Sequence, residues 1–179
     1  SIHPRVSQSA AKLPPIWIWG RRALTIEGSD AHLAELKALF SEMGNTVVAI
    51  SPDSKALYHA AAVMVSNQIV ALADMGTALL VKCGFSEAAA AEALSPLLLG
   101  NAQSVAEKGA VNALTGPIER GDAQTVSKHL QEIRKFAAES TVGQDILTAY
   151  TALSKQLIRI AQQKHPHKDY KHLEKELEQ

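Results

Sequence analysis

The sequence predicts a mainly α-helical protein with a short α/β segment at its beginning. Three observations predict this fold class. The first fifty residues alternate short β-branched runs with one helical pattern, and the sequence after Pro52 reads as almost continuous helix. The composition is that of a globular chain, with 46% hydrophobic and 20% charged residues over 179 positions, which is enough sequence to bury a substantial core.

Residues 1–50 read as part of a parallel sheet. Residues 16–19 and 23–26 are short runs of β-branched, aromatic and aliphatic side chains, which favour strands. Apolar residues at helical spacing then predict a helix that ends at Gly44, and residues 46–50 read as a buried strand. A strand, a helix and a strand in this order form a parallel unit, and parallel sheets are normally built from more such units. We therefore expect this segment to be the remnant of a larger α/β domain.

The second part of the chain, residues 51–163, is predicted to form a helical domain. Its first helix should run from about residue 53 to residue 83 and, being apolar on most of its circumference, should be central and buried. Ser86 is placed to cap a following Ala-rich helix, and Pro96 should open or kink the next one.

The last helices are predicted from their caps and their apolar spacing. Asp122 should cap a helix that reaches about Phe136, and Thr141 with Gln144 forms a capping-box pattern for the next helix. In that helix, apolar residues recur at alternating spacings of four and three, a pattern typical of a helix that packs on a partner. They are Ile146, Tyr150, Leu153, Leu157 and Ile160. Residues 164–179 read as a charged tail that is helical at most in part.

Charge and cysteine content narrow the class of partners. The 18 Lys and Arg residues balance the 18 Asp and Glu residues, which disfavours binding to nucleic acid or to an anionic membrane. The one cysteine, Cys83, excludes an internal disulfide and fits a reducing compartment, so we expect a cytoplasmic protein. The longest apolar region, residues 60–81, contains Ser66, Asn67 and Asp74, which makes it too polar for a comfortable membrane span.

A row of polar side chains interrupts the apolar helix predicted after Pro52. At 100° per residue, Lys55, His59 and Ser66 fall within about 40° of one another, and Asn67 lies about 80° from His59. Burying such groups costs a few kcal/mol each unless they meet a partner or a ligand. The row is therefore either an internal hydrogen-bond network or part of a site. Lys55 and His59, four residues apart near a helix N-terminus, have the spacing at which two side chains reach one ligand.

The loop at residues 115–122 is the second candidate site. Its glycines specify backbone shape, as they also would in a simple turn, whereas the Arg120 guanidinium could bind a carboxylate or phosphate or pair with a neighbouring acidic side chain. Asn101 and His129 rank below these, because such residues more often satisfy polar groups of the core.

Two kinds of site are disfavoured by the motifs. The tail histidines His165, His167 and His172 are not spaced to share one helical face and have no completing Cys or carboxylate, so we predict no metal site. The sequence contains no glycine-rich dinucleotide motif, P-loop, nucleophile elbow or Cys-x-x-Cys pair, so no nucleotide, serine or thiol chemistry follows from a motif.

Four stretches together resemble one bacterial family: Ser1-Ile-His-Pro4, Ile26-Glu-Gly28, residues 55–67 and residues 113–122. Its members have a Rossmann-like N-terminal domain and a helical C-terminal domain of unknown function, and are commonly labelled NADP-dependent or deazaflavin-dependent oxidoreductases. The resemblance covers residues 1 to about 160. It implies the fold of the 6-phosphogluconate dehydrogenase superfamily, with residues 1–50 as the end of the Rossmann-like domain and a C-terminal-like helical domain after it.

The resemblance also implies roles for individual residues. Several relatives place a Lys near the substrate oxygen and an Asn four residues later, and here Lys55 and His59 occupy that spacing, with His59 in place of the Asn. These two are the predicted catalytic residues. The predicted cofactor-binding residues are His3 and Pro4, and the predicted substrate-binding residues are Asn67, Asn101, Thr115, Gly116 and Arg120.

The resemblance implies that the chain is part of a longer protein. Relatives carry a glycine-rich dinucleotide turn on a strand that would precede Ser1, and the chain has no initiator Met. We therefore expect the C-terminal part of an oxidoreductase that uses NADP or NAD on a small anionic metabolite, forms a homodimer through its helices, and is inactive without the nucleotide turn. The competing hypothesis is a non-catalytic helical dimerisation or interaction module.

Overall fold

The structure is a computed structural model that describes residues 23–26 and 30–178. The chain divides into two compact units, Ser1–Gln68 and Ile69–Gln179. The predicted strand at residues 16–19 and the predicted cofactor-binding residues His3 and Pro4 lie outside the described residues. The described residues are mainly helical, with one short pair of parallel strands, as the sequence predicts.

The first unit contains the predicted strand, helix and strand. β1 (Ala23–Ile26), α1 (Asp30–Glu42) and β2 (Thr46–Ala49) follow in this order, and the strands pair in parallel, with Ala23 opposite Thr46 and Ile26 opposite Ala49. Ile26 and Val47 are buried. The apolar residues of α1 are largely on the surface, since Leu36 is 37% exposed and Leu39 is 53% exposed.

The prediction of a single helix over residues 53–83 is wrong, because the structure has two helices in this region. A 3-10 turn at Pro52–Ser54 precedes α2 (Lys55–Val65), and α3 (Asn67–Lys82) begins after a break at Ser66. The break has a local cause, because the Ser66 hydroxyl donates to the Ala62 carbonyl at 2.6 Å and the Ser66 N–H bonds to Val63 rather than to Ala62.

The prediction that this region is central and buried is wrong for the isolated chain. Neither α2 nor α3 contains a buried residue. Leu57 is 76% exposed in the first unit and Val70 is 70% exposed in the second. By length and composition alone, the segment Pro52–Lys82 could cross a membrane, with a mean hydropathy of 1.4. Apolar periodicity marked these residues as needing cover, but the elements of their own unit cover α3 only in part, with Met75 and Leu79 half-buried.

The second unit begins within α3, at Ile69, and continues through α4 (Glu87–Ala113). Ser86 caps α4 as predicted, accepting a hydrogen bond from the Ala89 N–H at 3.3 Å. No new helix begins at Pro96, which lies inside α4, and the backbone leaves the helical conformation at Gly109, where φ is 74°. Three consecutive leucines on α4 remain on the surface, and Leu99 is 67% exposed.

The buried core of the second unit lies among α5 (Pro117–Arg120), α6 (Ala123–Glu139), α7 (Thr141–Lys164) and α8 (Lys171–Glu176). Asp122 caps α6 as predicted, because its carboxylate accepts from the Thr125 N–H at 3.0 Å. The cap of α7 is Ser140 rather than Thr141, with its hydroxyl accepting from the Gly143 N–H at 3.0 Å. Val126 and Leu130 of α6 are fully buried.

The C-terminal segment is part of this core as well as carrying charge. Tyr170, Leu173 and Leu177 are 2%, 1% and 4% exposed and belong to the same buried cluster as Leu130. Their spacing of three and four places them on one side of α8 and its flanks. Residues 165–178 therefore close one side of the helical core.

Candidate functional site

The predicted site residues fall in both units of the chain. Lys55, His59 and Asn67 lie in the first unit, and all three are exposed. Lys55 is the first residue of α2 and His59 lies one turn later. A Lys and a His on successive turns at a helix N-terminus present a cation and a titratable ring to the same region of solvent.

The other half of the polar row forms hydrogen bonds within the chain. The Ser66 hydroxyl lies 3.0 Å from Oδ1 of Asn67 and 2.6 Å from the Ala62 carbonyl. These are the contacts expected if this part of the polar row is an internal hydrogen-bond network rather than part of a site. The row therefore separates into an N-terminal pair, Lys55 and His59, and a C-terminal pair that shapes the break between α2 and α3.

Asn101, Thr115, Gly116 and Arg120 lie in the second unit. Asn101 donates to the Leu97 carbonyl at 2.9 Å, the backbone contact expected of an Asn in a helix. Thr115 is exposed and lines an apolar cavity between α3 and α7. Arg120 is exposed at the end of α5.

The loop around α5 has the backbone shape that its glycines predict. Gly116 and Gly121 have φ values of 99° and 71°, a region that side chains with a Cβ rarely adopt. The Gly121 turn brings the Asp122 N–H to the Pro117 carbonyl at 2.8 Å. Hydrogen bonds from Thr125, followed by the nearby positive charge of Arg120, hold the pKa of Asp122 below its usual range. The loop therefore ends α5 and caps α6 while leaving the Arg120 guanidinium in solvent.

A polar cluster around Glu119 was not predicted from the sequence. Nε2 of His165 lies 2.6 Å from Oε1 of Glu119, and Nζ of Lys164 lies 3.7 Å from the same oxygen. The Tyr170 hydroxyl donates to the Glu119 carbonyl at 3.0 Å. The hydrogen bond from His165 is the main reason that the pKa of Glu119 is lowered, with Lys164 adding to it. His165 belongs to the segment predicted as a charged tail, and its contact with Glu119 joins that segment to α5.

The Glu119 cluster predicts a pH dependence of stability. Because its pKa is lower in the folded chain, Glu119 stabilises the fold above its ordinary pKa of about 4.5, and this stabilisation is lost as the pH falls through the lowered value. We expect Glu119→Gln to lower the denaturation midpoint at pH 7 and to have much less effect near pH 3. Urea unfolding followed by circular dichroism at both pH values measures this difference.

The matched control for Glu119 is Glu132→Gln. Glu132 pairs with Lys135 on the exposed surface of α6, where an ion pair contributes little. The urea midpoint of Glu132→Gln should differ little from that of the wild type at either pH. An effect of Glu119→Gln that stays constant from pH 7 to pH 3 would contradict the proposed role of the carboxylate.

No metal cluster is present in the described part of the chain. Among residues 23–26 and 30–178, no three His, Cys, Asp or Glu side chains are arranged to hold a metal ion. The residues predicted to contact a nucleotide lie outside these ranges.

A strand–helix–strand segment with parallel strands is followed by a mainly helical domain, and this order defines the class of fold to which the chain belongs. Residues 23–157 match the family described as Domain of unknown function (DUF2520), and the chain belongs to this family. Comparison with curated proteins found no match.

A crystal structure of protein TM1727 from Thermotoga maritima is similar to this chain. The two share 28% sequence identity and superpose with a TM-score of 0.65. The alignment covers 79% of this chain and 54% of the Thermotoga chain, so this chain spans only about half the length of that protein.

Proposed function

We propose that this chain is the C-terminal part of a cytoplasmic NAD(P)-dependent oxidoreductase that acts on a small anionic metabolite. The main support is the position of Lys55 and His59, exposed one turn apart at the N-terminus of the helix that follows the α/β segment. NADP or NAD, bound in its reduced form, would supply a hydride to the substrate; a deazaflavin cofactor is the variant of this proposal that the family resemblance also allows.

In this proposal Lys55 binds the reacting oxygen of the substrate. An ammonium group near a carbonyl stabilises the negative charge that develops on the oxygen and can donate a proton to it. His59 orients that oxygen or relays the proton, since an imidazole ring has two nitrogens that can exchange hydrogen bonds with the substrate. Asn67, in the same unit as Lys55 and His59, supplies a further polar contact to the substrate.

The experiment that tests the reaction class uses the full-length protein, with any sequence that precedes Ser1. We expect it to bind NADPH or NADH and to oxidise one of them in the presence of a member of a panel of 2-oxo and 3-oxo acids. The absorbance of the reduced nicotinamide measures turnover. Absence of binding to both nucleotides and to a reduced deazaflavin would contradict the proposal.

A second candidate function is a non-catalytic helical dimerisation module. The exposed apolar surface favours it: in the first unit Leu57 is 76% exposed, and in the second unit Val70 and Leu99 are 70% and 67% exposed. Large apolar patches of this kind mark interaction sites. Both candidates include a homodimer formed through the helices, so dimerisation alone does not distinguish them.

Mass measurement tests the dimer that both candidates share. Light scattering should give twice the monomer mass, and Val70→Glu should weaken the dimer at least tenfold, while Val142→Glu, at a valine of α7 that is 46% exposed, should not. A monomer that floats with phosphatidylcholine vesicles would instead show that a membrane covers the segment Pro52–Lys82. A dimer without nucleotide binding or turnover would favour the module.

A further inference from the structure

An apolar cavity of about 410 Å³ lies within the second unit, among α3, α5, α6 and α7. Small-molecule sites have volumes of roughly 300–1,000 Å³ and are mainly apolar with a few placed polar groups. Leu72, Met75 and Leu79 of α3 face Leu153 and Leu157 of α7 across this space. The last two belong to the apolar seam of α7, which the sequence predicts as a surface that packs on a partner.

Three polar side chains of the cavity wall form one contiguous cluster. Nδ1 of His129 lies 2.9 Å from the Tyr150 hydroxyl, and the two rings meet edge to face. Ser154 is 3% exposed, lines the same wall one turn further along α7, and hydrogen-bonds to Tyr150. Burial raises the pKa of Tyr150, so its phenol is neutral at physiological pH.

The charge and hydrogen-bonding capacity of this wall define the kind of ligand that fits it. Of the described residues that line the cavity, none is Lys, Arg, Asp or Glu, and the ring of His129 is already hydrogen-bonded to Tyr150, so a charged ligand would lose its hydration without a dedicated ionic partner. The Tyr150 hydroxyl can donate or accept, depending on the tautomer of His129. A ligand hydroxyl can also donate or accept, and therefore matches either arrangement.

We propose that this cavity binds an uncharged, mainly apolar small molecule through a hydroxyl group that hydrogen-bonds to Tyr150. This site is separate from the proposed oxidoreductase function, because it requires neither Lys55 nor a nucleotide and takes a neutral ligand rather than an anionic one. The apolar body of the ligand fills the space between α3 and α7.

Binding of 2-naphthol to the full chain tests the proposal, with 2-naphthoate as the charged ligand of the same ring system. Residue-resolved NMR titration should show saturable binding of 2-naphthol with a dissociation constant below about 1 mM, and shifts centred on His129 and Tyr150. We expect 2-naphthoate to bind at least about tenfold more weakly. Failure of 2-naphthol to bind below that concentration would overturn the proposal.

Variants of the cavity wall locate the binding. Ala149→Leu adds volume inside the cavity and should weaken binding at least about tenfold, whereas Ala152→Leu, on an exposed position of the same helix, should not. If Ala149→Leu does not fold, Leu153→Trp fills the cavity from its more exposed side. Tyr150→Phe should weaken 2-naphthol binding about 3- to 10-fold by removing one hydrogen bond. Equal binding by wild type and a folded cavity-filling variant would place the ligand elsewhere and overturn the proposal.

Discussion

Gly143→Ala is expected to lower the free energy of unfolding of the helical unit by about 3 kcal/mol, because an added methyl group overlaps backbone that cannot move aside. A Cβ at position 143 would lie 2.7 Å from the Ala137 backbone nitrogen and still closer to the Phe136 carbonyl group. Gly143 is buried in the first turn of α7, where this helix approaches the end of α6. Relief of the overlap requires the two helices that form much of the core to separate.

The matched variant is Gly100→Ala in α4, where nothing lies within 4 Å of an added Cβ. Alanine stabilises a helix interior by roughly 0.5–1 kcal/mol relative to glycine, so this variant should be slightly more stable than wild type. Urea denaturation of both variants measures the difference. Equal midpoints for the two variants would show that α6 and α7 do not approach as closely as the structure has them.

Local signals in the sequence predicted much of the helical architecture. Ser86 and Asp122 were identified as caps because a cap depends on a side chain and an N–H only two or three residues away. The parallel strand pair followed from short apolar runs on each side of one helix. Ser140 was missed because Thr141, with Gln144 three residues later, fits the same capping pattern shifted by one residue.

Burial was predicted less well, because periodicity marks apolar residues without saying what covers them. The region 53–83 was expected in the core, yet Leu57 is among its most exposed residues. The reverse error occurred at the C-terminus, where charged neighbours masked the spacing of Tyr170, Leu173 and Leu177. In both cases burial depends on contacts with residues that are distant in the sequence, and a single sequence does not reveal those contacts.

The candidate site shows the same division between local and distant contacts. Lys55 and His59 could be paired from their spacing along one helix, and the structure has them on successive turns. The Glu119 contact with His165 joins residues 46 positions apart, and the cavity wall joins His129 to Tyr150 across two helices. No motif connects such residues, so only the fold brings them to notice.

The measurement that tests the central claim most directly compares Lys55→Ala with Lys37→Ala in the full-length protein. Lys37 is an exposed lysine of α1 in the same unit, so the two variants remove the same charge. With the metabolite and nucleotide that support turnover of the wild type, Lys55→Ala should lower kcat about 100-fold or more, and Lys37→Ala should leave it unchanged.

Nucleotide affinity provides the internal control, since Lys55 is proposed to contact the substrate oxygen. Fluorescence titration should give all three proteins the same dissociation constant for NADPH or NADH. The proposal predicts a loss of kcat in Lys55→Ala alone, with nucleotide binding intact. Turnover of Lys55→Ala within threefold of wild type would contradict the central claim that this helix supplies the group that acts on the substrate.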